Sequence, residues 1–584
     1  MQEDRVRQIT DNLKHYQNVV EELKKIRVGV LMDGLECSSY FSNIINYLAE
    51  ESNIMLYLLL NDIHRNTNVI DKITQNIQGN DISELINSTL FKICISLEQK
   101  IYAISMQNQE YFLDTNLDTE IFMDKILISP VFSRIASSKK TDLVSYRDTD
   151  IQKIKAMDLD LILRGNARGI FQGDILSAAR KGILSFYHID NRWNRGNPLG
   201  FYEVYFKKPT TGFAIQILNE RHDEGEIIFK GEITTKPLYA YNLVRLYQVA
   251  GYFMAQIIKN YAKSGYLPPV SQKNPSFSTH LEIPGFNITL NYFIQTYSAI
   301  ASLYLKQWIL RRHARWSVAY VMSDWMKTNL SRATVIKNPK GRFFADPFVV
   351  TRSNKTAIFV EDYYYSNRKG VISAVIVLPD GTYEFIPNIV EEEFHLSFPY
   401  IFKHENDLYM IPESHEAGAI RLYRCIQFPH RWEYLYDIMS GVSAVDTMVF
   451  EHSDRWWILT NIAPHGLSEH CTQLCAFSSD SPLSKDWQPH LKNPIFSSGE
   501  FGRNGGILRD RDGAIYRVRQ KQRFGRYGAA ISIAKITKLD MNSYCEMPCY
   551  DIEPKSLPDS IGIHHMHSDG IFTVFDFVKE EPLR

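Results

Sequence analysis

The sequence has few of the features that would assign it to a specialised class of protein. Among 584 residues there are seven cysteines, an odd number, and neither Cys471–Cys475 nor Cys545–Cys549 has the two-residue spacer of a zinc knuckle. We therefore expect reduced thiols and predict no metal site. The 65 basic and 66 acidic residues nearly cancel, so no net field favours nucleic acid as a partner.

Long hydrophobic runs are also missing. The first residues, MQEDRVRQITDNLKHY, have a polar pattern typical of a helix over 1–25 and do not resemble a secretory signal, so we expect a cytoplasmic location. The most apolar segment, Tyr292–Leu310, is interrupted by polar residues and falls short of the roughly 20 predominantly apolar residues of a spanning helix. Since Arg311, Arg312 and His313 follow it, peripheral membrane contact through 292–315 is one reading. An interdomain helix is the other.

The chain is too long for one hydrophobic core and should form several domains. Short apolar runs alternate with helical patterns over 26–238, which favours a doubly wound α/β domain. A helical connector over 239–315 and an all-β region over 316–584 follow. The fold class is thus α/β plus all-β. The predicted strands of the first domain are Arg27–Asp33, Ile54–Leu60, Ile93–Ser96, Leu143–Tyr146, Leu159–Arg164 and Leu184–Tyr187, and its predicted helices are Ser38–Leu48 and Gly173–Arg180.

The stretch from Gly182 to Phe229 contains the first candidates for chemistry. It is predicted to form a strand, a polar loop with His188, a second strand and an acidic turn with Asp223. This order can bring one imidazole and one carboxylate to the same edge of a sheet, where they could share a proton. His188 and Asp223 are therefore the predicted catalytic pair, with Ser185 or Tyr187 assisting.

The same stretch resembles the N10-formyltetrahydrofolate-dependent formyltransferases. The matching positions are Gly182, Arg195-Gly196 and the turn Asp223-Glu224-Gly225. The family's Asn-x-His pair falls on Ser185 and Tyr187, with His188 one residue later. The resemblance implies a formyltransferase-like fold, 10-formyltetrahydrofolate as cofactor, and a histidine that polarises the formyl carbonyl while an aspartate relays the proton.

Cations beside this site are candidates for cofactor binding. The segment LILRGNARGIFQGDIL contains Arg164, Asn166 and Arg168, and the matching loop contains Arg195. Two cations and an amide suit a phosphate or a carboxylate as well as a pterin ring. The alternative interpretation is that these arginines are solvated loop charges.

The all-β region contains a weak internal repeat. Similar strand pairs recur at Asp346, Phe398, Asp446, Asn504 and His565, which lie 52, 48, 58 and 61 residues apart. Such spacing suits one four-stranded blade per repeat, and the sequence therefore predicts a five-bladed β-propeller.

Polar residues at the starts of the predicted inner strands are candidates for sugar binding, because pure packing does not require them there. Asp346, Asp446, Arg503 and His565 belong to this group. Glu413, which ends an outer strand of the second blade, is expected to converge with them, and Glu361 and His395 complete the sugar-binding candidates. From about Trp316 to Phe577 the chain resembles the five-bladed propellers of glycoside hydrolases, including an Asp-Pro in the first inner strand, and the amino-terminal segment of plant glucosamine inositolphosphorylceramide transferases.

The hydrolase resemblance implies Asp346 as base, Glu413 as acid and Asp446 as the residue that tunes them. Two other interpretations remain. In the first the same groups bind sugar hydroxyls without cleaving a bond, and in the second they form structural ion pairs.

The two halves together predict N-formyl transfer from a formyl-folate to the amine of an amino sugar, nucleotide sugar or glycan precursor, with the propeller presenting the acceptor. One alternative is a carbohydrate-active propeller enzyme, a glycoside hydrolase or glycosyltransferase component, whose first domain only binds a ligand. Another is a non-catalytic glycan-binding protein. Loss of activity in Asp346→Asn or Glu413→Gln but not in His188→Ala would favour the propeller enzyme. The oligomeric state is left open.

Overall fold

The computed structural model describes residues 25–62, 82–106, 114–134, 142–187, 198–220, 225–270, 284–309, 311–463, 470–557 and 559–582. The chain forms two compact units. The first contains the residues up to Tyr205, Thr211–Gly231 and Leu238–Tyr292, and the second contains Phe206–Thr210, Glu232–Pro237 and Phe293–Arg584. The predicted connector over 239–315 is thus divided between the units. The predicted helix over 1–25 lies almost entirely outside the described residues.

The amino-terminal strands are short and mostly apolar. They are β1 (Ile26–Met32), β2 (Glu36–Ser38), β3 (Ile54–Asn61), β4 (Asp114–Asn116), β5 (Asp124–Ile128), β6 (Pro130–Arg134), β7 (Asp142–Tyr146), β8 (Leu161–Arg164), β9 (Ile170–Phe171), β10 (Ile183–Tyr187), β11 (Thr210–Ile217) and β12 (Glu226–Thr234). The helices are α1 (Ser39–Ala49), α2 (Ile82–Met106), α3 (Asp148–Ala156), α4 (Phe201–Tyr205), α5 (Tyr239–Ser264) and α6 (Phe286–Trp308). None of these described helices is long and apolar enough to cross a membrane.

A seven-stranded sheet organises the first unit, in the order β12-β11-β10-β8-β1-β3-β5. The strands β10, β8, β1, β3 and β5 run parallel, and β11 is antiparallel to β10. Residues on both faces of β1, including Val30 and Leu31, are buried, as expected for a parallel sheet that is covered on both sides. Gly251 of α5 lies against Ile44 of α1, where a Cβ would not fit. The predicted α/β architecture is therefore present.

Two predicted elements of this unit are wrong in type. Ile93–Ser96 was expected as a strand but lies within the 25-residue helix α2, because a short apolar run has no periodicity that separates strand from helix. Gly173–Arg180 was expected as an α-helix but forms a short 3₁₀ turn over Gly173–Ser177. Leu143–Tyr146 is a strand, although it belongs to a separate sheet of β6, β7 and β9.

Apart from the greater part of α6 and a few short 3₁₀ turns, the described residues of the second unit form mainly β-strands. They are β13 (Arg312–Val321), β14 (Thr334–Val335), β15 (Arg342–Arg352), β16 (Lys355–Tyr364), β17 (Lys369–Val377), β18 (Tyr383–Val390), β19 (Ser397–His404), β20 (Asp407–Glu413), β21 (Ala419–Gln427), β22 (Arg431–Ser440), β23 (Ala444–His452), β24 (Arg455–Ile462), β25 (Gln473–Ser479), β26 (Gln488–Pro489), β27 (Phe496–Ser497), β28 (Asn504–Arg509), β29 (Ile515–Arg523), β30 (Arg526–Asp540), β31 (Ser543–Ile552), β32 (Ser560–Gly562), β33 (Met566–Ser568) and β34 (Thr573–Pro582).

These strands form five antiparallel sheets, and four of them are consecutive in the chain: β15 to β18, β19 to β22, β23 to β27, and β28 to β31. The first strands contact one another in circular order, with β15 beside β19, β19 beside β23, β23 beside β28, β28 beside β33, and β33 beside β15. This is an arrangement of propeller type, and it agrees with the predicted repeat.

The fifth sheet departs from the prediction. The repeat predicts one four-stranded blade at each anchor, but the sheet at the His565 anchor combines strands from both ends of the region, in the order β14-β13-β34-β32, with β33 also on β34. β34 therefore pairs with β13 along ten residue pairs, from Arg312↔Pro582 to Val321↔Thr573. The all-β region thus begins at Arg312 rather than Trp316. The two ends of the all-β region are joined by hydrogen bonds between β13 and β34. Local sequence patterns do not predict pairing between segments so far apart in the chain.

Candidate functional site

The crevice at the carboxyl ends of the parallel strands is the first predicted site. It contains a pocket of about 300 Å³ whose lining includes Arg164, Ser185 and Tyr247. Ser185 is buried, and its hydroxyl donates to the carbonyl of Phe186 at 3.3 Å. Tyr187 ends β10. The other predicted residues of this site, His188, Arg195 and Asp223, lie outside the described residues.

The predicted cofactor-binding residues shape their own loop. Arg164 Nε donates to the carbonyl of Ala167 at 3.0 Å, and its Nη2 donates to the carbonyl of Gly169 at 2.8 Å. Asn166 Oδ1 accepts from the backbone N–H of Asp33 at 2.7 Å. The amide of Asn166 also donates to the carbonyls of Gly34 and Glu36. These bonds fix the conformation of the loop, and Arg164 also lines the pocket, so cofactor binding by Arg164 and Asn166 stays a prediction.

Arg168 is different, because it is mostly exposed. Its Nε lies 3.3 Å from Asp33 Oδ2, and its backbone N–H donates to the same oxygen at 3.1 Å. An exposed ion pair of this kind contributes little to stability. Arg168 is therefore an exposed charge of this loop, and its part in cofactor binding stays a prediction.

The second predicted site lies at the starts of the first strands of the sheets. Irregular pairing interrupts four of these strands at equivalent places, between Ala345 and Phe348, Ser397 and Tyr400, Val445 and Met448, and Asn504 and Ile507. Within the bulges Asp346, Phe398 and Asp446 have φ of 48°, 43° and 49°. Residues other than glycine rarely adopt such φ values, and strain of this kind concentrates at functional sites. Bulges also re-aim side chains beside such sites.

Arg503 connects carboxylates from two sheets. Its Nε lies 2.6 Å from Asp446 Oδ2, and its Nη2 lies 3.7 Å from Glu413 Oε2. Gln520 Nε2 donates to the same Asp446 oxygen at 3.2 Å, and the Tyr527 ring lies 5.3 Å from the guanidinium carbon. Both carboxylates are buried, and charges this deep require such partners. Three predicted residues, Asp446, Arg503 and Glu413, are thus brought together.

Glu361 and Glu413 occupy equivalent positions in neighbouring sheets. Glu361 in β16 pairs with Ala345, and Glu413 in β20 pairs with Ser397, in each case next to the bulge. Both side chains are buried. A repeated backbone geometry therefore places one carboxylate from each sheet at the same level of the unit.

A histidine accompanies each of these glutamates. His395 Nε2 lies 3.6 Å from Glu361 Oε1, and His415 Nδ1 lies 3.0 Å from Glu413 Oε1. The backbone N–H of Gly370 donates to His395 Nδ1 at 2.9 Å, which leaves the proton of a neutral ring on Nε2, facing Glu361. The imidazoles are 19% and 31% exposed, so they form the open side of the cluster.

The two glutamates have opposite pKa shifts. Burial raises the pKa of Glu361 well above its ordinary value, and the charges of Asp346 and Glu413 add to the rise. Burial acts in the same direction on Glu413, but the hydrogen bond of His415 and the charge of Arg503 outweigh it and hold that pKa at about 2. The site therefore combines a carboxyl group whose protonated form is favoured by burial with one whose ionised form is favoured by its partners, the combination that acid–base chemistry needs.

Asp346 is held by a histidine that bridges two carboxylates. His564 Nε2 lies 3.3 Å from Asp346 Oδ1, and His564 Nδ1 lies 2.7 Å from Asp576 Oδ2. The Trp316 ring packs on His564 at 4.1 Å between centroids. Burial raises the pKa of Asp346 to about 6 while the charge of His564 opposes the rise. Although burial lowers the pKa of His564, Asp576 and Asp346 outweigh that effect and raise it.

His565 lies beneath this group. Its ring packs at 4.5 Å from Phe348 and 5.2 Å from Phe398 between centroids, and burial lowers its pKa well below the ordinary value. It is fully buried, so it offers no exposed surface to a sugar. His565 therefore packs as a neutral side chain against these rings, and its Nδ1 lies 3.7 Å from Asp346 Oδ1.

One group could hold a cation. Asp346, His564 and Asp576 each place a ligand atom within 4.8 Å of the others, and all three are buried. Carboxylate oxygens with one imidazole suit several divalent ions. The sequence predicts no metal, because these ligands come from three separate strands or loops with no motif spacing.

Several residues of the cluster escaped the sequence prediction. They are His415, Gln520, Tyr527, His564 and Asp576. Two of them had a local signal, since His415 follows Glu413 by two residues and His564 directly precedes His565. Asp576 had none, because the pairing that positions it joins the two ends of the all-β region.

Comparison with known protein families finds a match in the second unit. Residues 312–556 match the family described as "Glucosamine inositolphosphorylceramide transferase 1, N-terminal". This segment begins with β13. It contains Asp346, Glu361, Glu413, Asp446 and Arg503, but not His564 or Asp576. The family part of the predicted resemblance is therefore confirmed for this segment, and no comparison supports the formyltransferase part.

Curated relatives give the same result over part of the chain. Glucosamine inositolphosphorylceramide transferase 1 of Oryza sativa subsp. japonica is 34% identical over 210 residues, which is 35% of this chain and 28% of the relative. The Arabidopsis thaliana protein of the same name is 33% identical over 208 residues, 35% of this chain and 27% of the relative. The chain thus matches little more than a quarter of each relative's length.

Solved structures show weaker likeness. The catalytic domain of a GH62 α-L-arabinofuranosidase from Coprinopsis cinerea has 10% identity and a TM-score of 0.32, covering 46% of this chain and 96% of that one. An α-L-arabinanase from Cellvibrio cellulosa has 13% identity and a TM-score of 0.30, covering 42% and 89%. Likenesses this low are no basis for an argument about activity.

Proposed function

We propose that the second unit binds a saccharide at the carboxylate cluster formed by Asp346, Glu361, Glu413, Asp446 and Arg503. The observation that carries the proposal is the convergence of these buried ionisable groups from separate sheets. Isolated ion pairs in a protein interior contribute little net stability, and apolar residues would often do better. The bulges at Asp346 and Asp446 add strain to that cost. Ligand binding best explains why the fold keeps buried ionisable groups and strained bulges at the same place.

The chemistry of the cluster suits sugars. Carboxylates accept hydrogen bonds from hydroxyl groups, and Arg503 can donate to ring or hydroxyl oxygens in charge-assisted bonds. The aromatic rings of Trp316 and Tyr527 pack around the same side chains. The names of the matched relatives contain an amino sugar and a phosphorylated inositol headgroup. We therefore place glucosamine, inositol-containing glycans and nucleotide sugars first among ligands.

A second candidate is cleavage or transfer at a glycosidic bond. It is favoured by the opposite pKa shifts of Glu361 and Glu413. In such a reaction a protonated carboxyl group gives its proton to the leaving oxygen, and an ionised carboxylate activates water or stabilises the positive charge that develops on the sugar. Glu361 fits the first role and Glu413 the second, which reverses the acid role predicted for Glu413.

Isothermal titration of the full chain with a panel of amino sugars, inositol glycans and nucleotide sugars tests binding. For the ligand that binds best, Glu413→Gln and Asp446→Asn should lower the affinity about 10- to 100-fold, because each removes a charge-assisted hydrogen bond. Asp362→Asn is the matched control. It is a buried carboxylate next to Glu361, but it pairs with Arg342 and Ser373 instead. Absence of binding, or equal losses in all three variants, would contradict the proposal.

Glycosidic chemistry needs its own assay. The full chain is incubated with aryl glycosides of the sugars that bind, and release of the phenol is followed against pH. Hydrolysis that is lost in Glu361→Gln while sugar binding persists would support the acid role. Binding without turnover in the unsubstituted protein would restrict the function to recognition.

A further inference from the structure

The carboxyl-terminal end of α6 presents large apolar side chains to solvent. They are Leu303, Tyr304, Leu305, Trp308 and Ile309, with Trp308 85% and Ile309 69% exposed. Contiguous exposed apolar patches are rare on soluble surfaces and usually mark an interaction site. This segment belongs entirely to the second unit, so it can be considered together with the strand that follows it.

Unpaired cations lie directly beyond these apolar residues. Within the part of the chain that the structure describes, Arg311, Arg312, Lys337 and Lys340 have no carboxylate oxygen within 4.0 Å. Nearby Lys306 and Arg315 are neutralised by Glu580 and Glu581 at 3.2 Å each. The surface therefore retains about four positive charges that no described carboxylate neutralises.

Two of these cations, Lys337 and Lys340, line a surface pocket of about 830 Å³. Its lining includes His313, Arg315, Lys337, Asn338 and Lys340. His313 follows Ile309 by four residues, a distance of at most about 14 Å even in an extended chain. The apolar helix end and the cationic pocket therefore lie close to each other, and we define the two together as the α6-end surface.

The distribution of the apolar side chains indicates what covers this surface. Leu303, Tyr304 and Leu305 are consecutive and, at about 100° per residue, point in three directions around the helix. A protein groove covers a single stripe with a spacing of three and four residues. Fluid acyl chains can surround all three directions, and tryptophan favours the interface between acyl chains and headgroups.

We propose that the α6-end surface binds the surface of an anionic lipid bilayer. Trp308 and Ile309 enter the interfacial region, and Arg311, Lys337 and Lys340 lie against phosphate and carboxylate groups of the headgroups. Apolar burial and electrostatic attraction then act together, as they do in peripheral amphipathic anchors. Each cation close to an anionic membrane strengthens binding about fivefold.

Co-sedimentation of the full chain with vesicles tests the proposal. One set of vesicles contains phosphatidylcholine alone, and the other contains phosphatidylcholine with phosphatidylserine. We expect binding to the second set that weakens as salt is raised. Trp308→Ala should lower the partition coefficient about tenfold. Lys337→Glu combined with Lys340→Glu should lower it by more, because charge reversal adds repulsion to lost attraction.

Leu491→Ala is the matched control, since Leu491 is 74% exposed in the turn between β26 and β27 and has Lys492 beside it. It should bind vesicles like the unsubstituted protein, and every variant should keep its sugar affinity. Equal binding to both vesicle sets would overturn the proposal, as would full competition by inorganic phosphate. Loss of a dimer in Trp308→Ala, measured by light scattering, without any vesicle binding would instead assign the surface to self-association.

Discussion

Substitution of Asp346 by asparagine should make the second unit more stable at neutral pH. The pKa of Asp346 rises from 3.8 to about 6 on folding because of burial, with opposition from His564. Between pH 3.8 and about 6 the folded state binds more protons than the unfolded state, so this carboxyl group lowers stability progressively as pH rises. Each pKa unit corresponds to about 1.4 kcal/mol, so the full cost above pH 7 is about 3 kcal/mol.

Asparagine keeps the local geometry. It tolerates the φ of 48° at this position better than most residues, and its side-chain oxygen can still accept a hydrogen bond from His564. The neutral side chain also lowers the pKa values of Glu361 and Asp446, because Asp346 raises both. Asp346→Asn should therefore match the unsubstituted protein near pH 4 and exceed it by up to about 3 kcal/mol above pH 7, while sugar binding weakens.

Denaturant unfolding followed by tryptophan fluorescence at several pH values measures this difference. Seven of the eight tryptophans lie at or beyond Trp308, so the signal reports the second unit. Glu546→Gln is a control of opposite sign. The pKa of Glu546 falls to about 2, because Arg517 outweighs burial, so this substitution should cost about 3 kcal/mol at neutral pH and little below pH 2. If Asp346→Asn is less stable at every pH, the reasoning is refuted and Asp346 acts as a stabilising partner of His564.

Two further predictions concern the bulges and the amino-terminal crevice. Gly506→Ala should destabilise the second unit by roughly 2–5 kcal/mol, because φ at this bulge is 123° and a Cβ would collide with the carbonyl of Met566. The same denaturation assay measures this loss of stability. A loss below about 1 kcal/mol would show that the bulge relaxes freely. N-formyl transfer stays a prediction, and titration with a stable formyl-folate analogue tests it. Micromolar binding, equivalent to about 8 kcal/mol, that weakens in His188→Ala and Asp223→Asn would favour formyl transfer, whereas absence of binding would remove the donor from consideration.

Much of the fold could be predicted because its signals are local. The apolar runs of β1, β3, β8 and β10 are short and bounded by polar residues, and they alternate with helical patterns. Ile93–Ser96 shows the limit of local patterns, since three apolar residues and a serine suit a strand as well as the helix that contains them. The fifth sheet shows a second limit, because β13 and β34 find each other across the whole all-β region.

The sequence predicted the residues of the site only where the anchors of the β repeat mark them. Asp346 and Asp446 recur at the repeat anchors, and the structure places a bulge with positive φ at both. His565 also lies at an anchor, but the first strand of the fifth sheet is interrupted and the ring lies among Phe348 and Phe398. Asp576 takes part in the cluster although no repeat position marks it. The period of the repeat therefore predicted which part of each sheet contributes to the site. It did not identify every side chain in the cluster.

The sequence alone determined the order of the elements, the spacing of the β repeats and the polar residues at their anchors, because these depend on neighbours along the chain. The tertiary structure decided which charges meet and which of them keep a proton. Glu361 and Glu413 have the same side chain and equivalent places, yet burial raises the pKa of the first well above its ordinary value, while His415 and Arg503 hold the pKa of the second at about 2. That difference depends on distances between separate sheets, which exist only after the chain has folded.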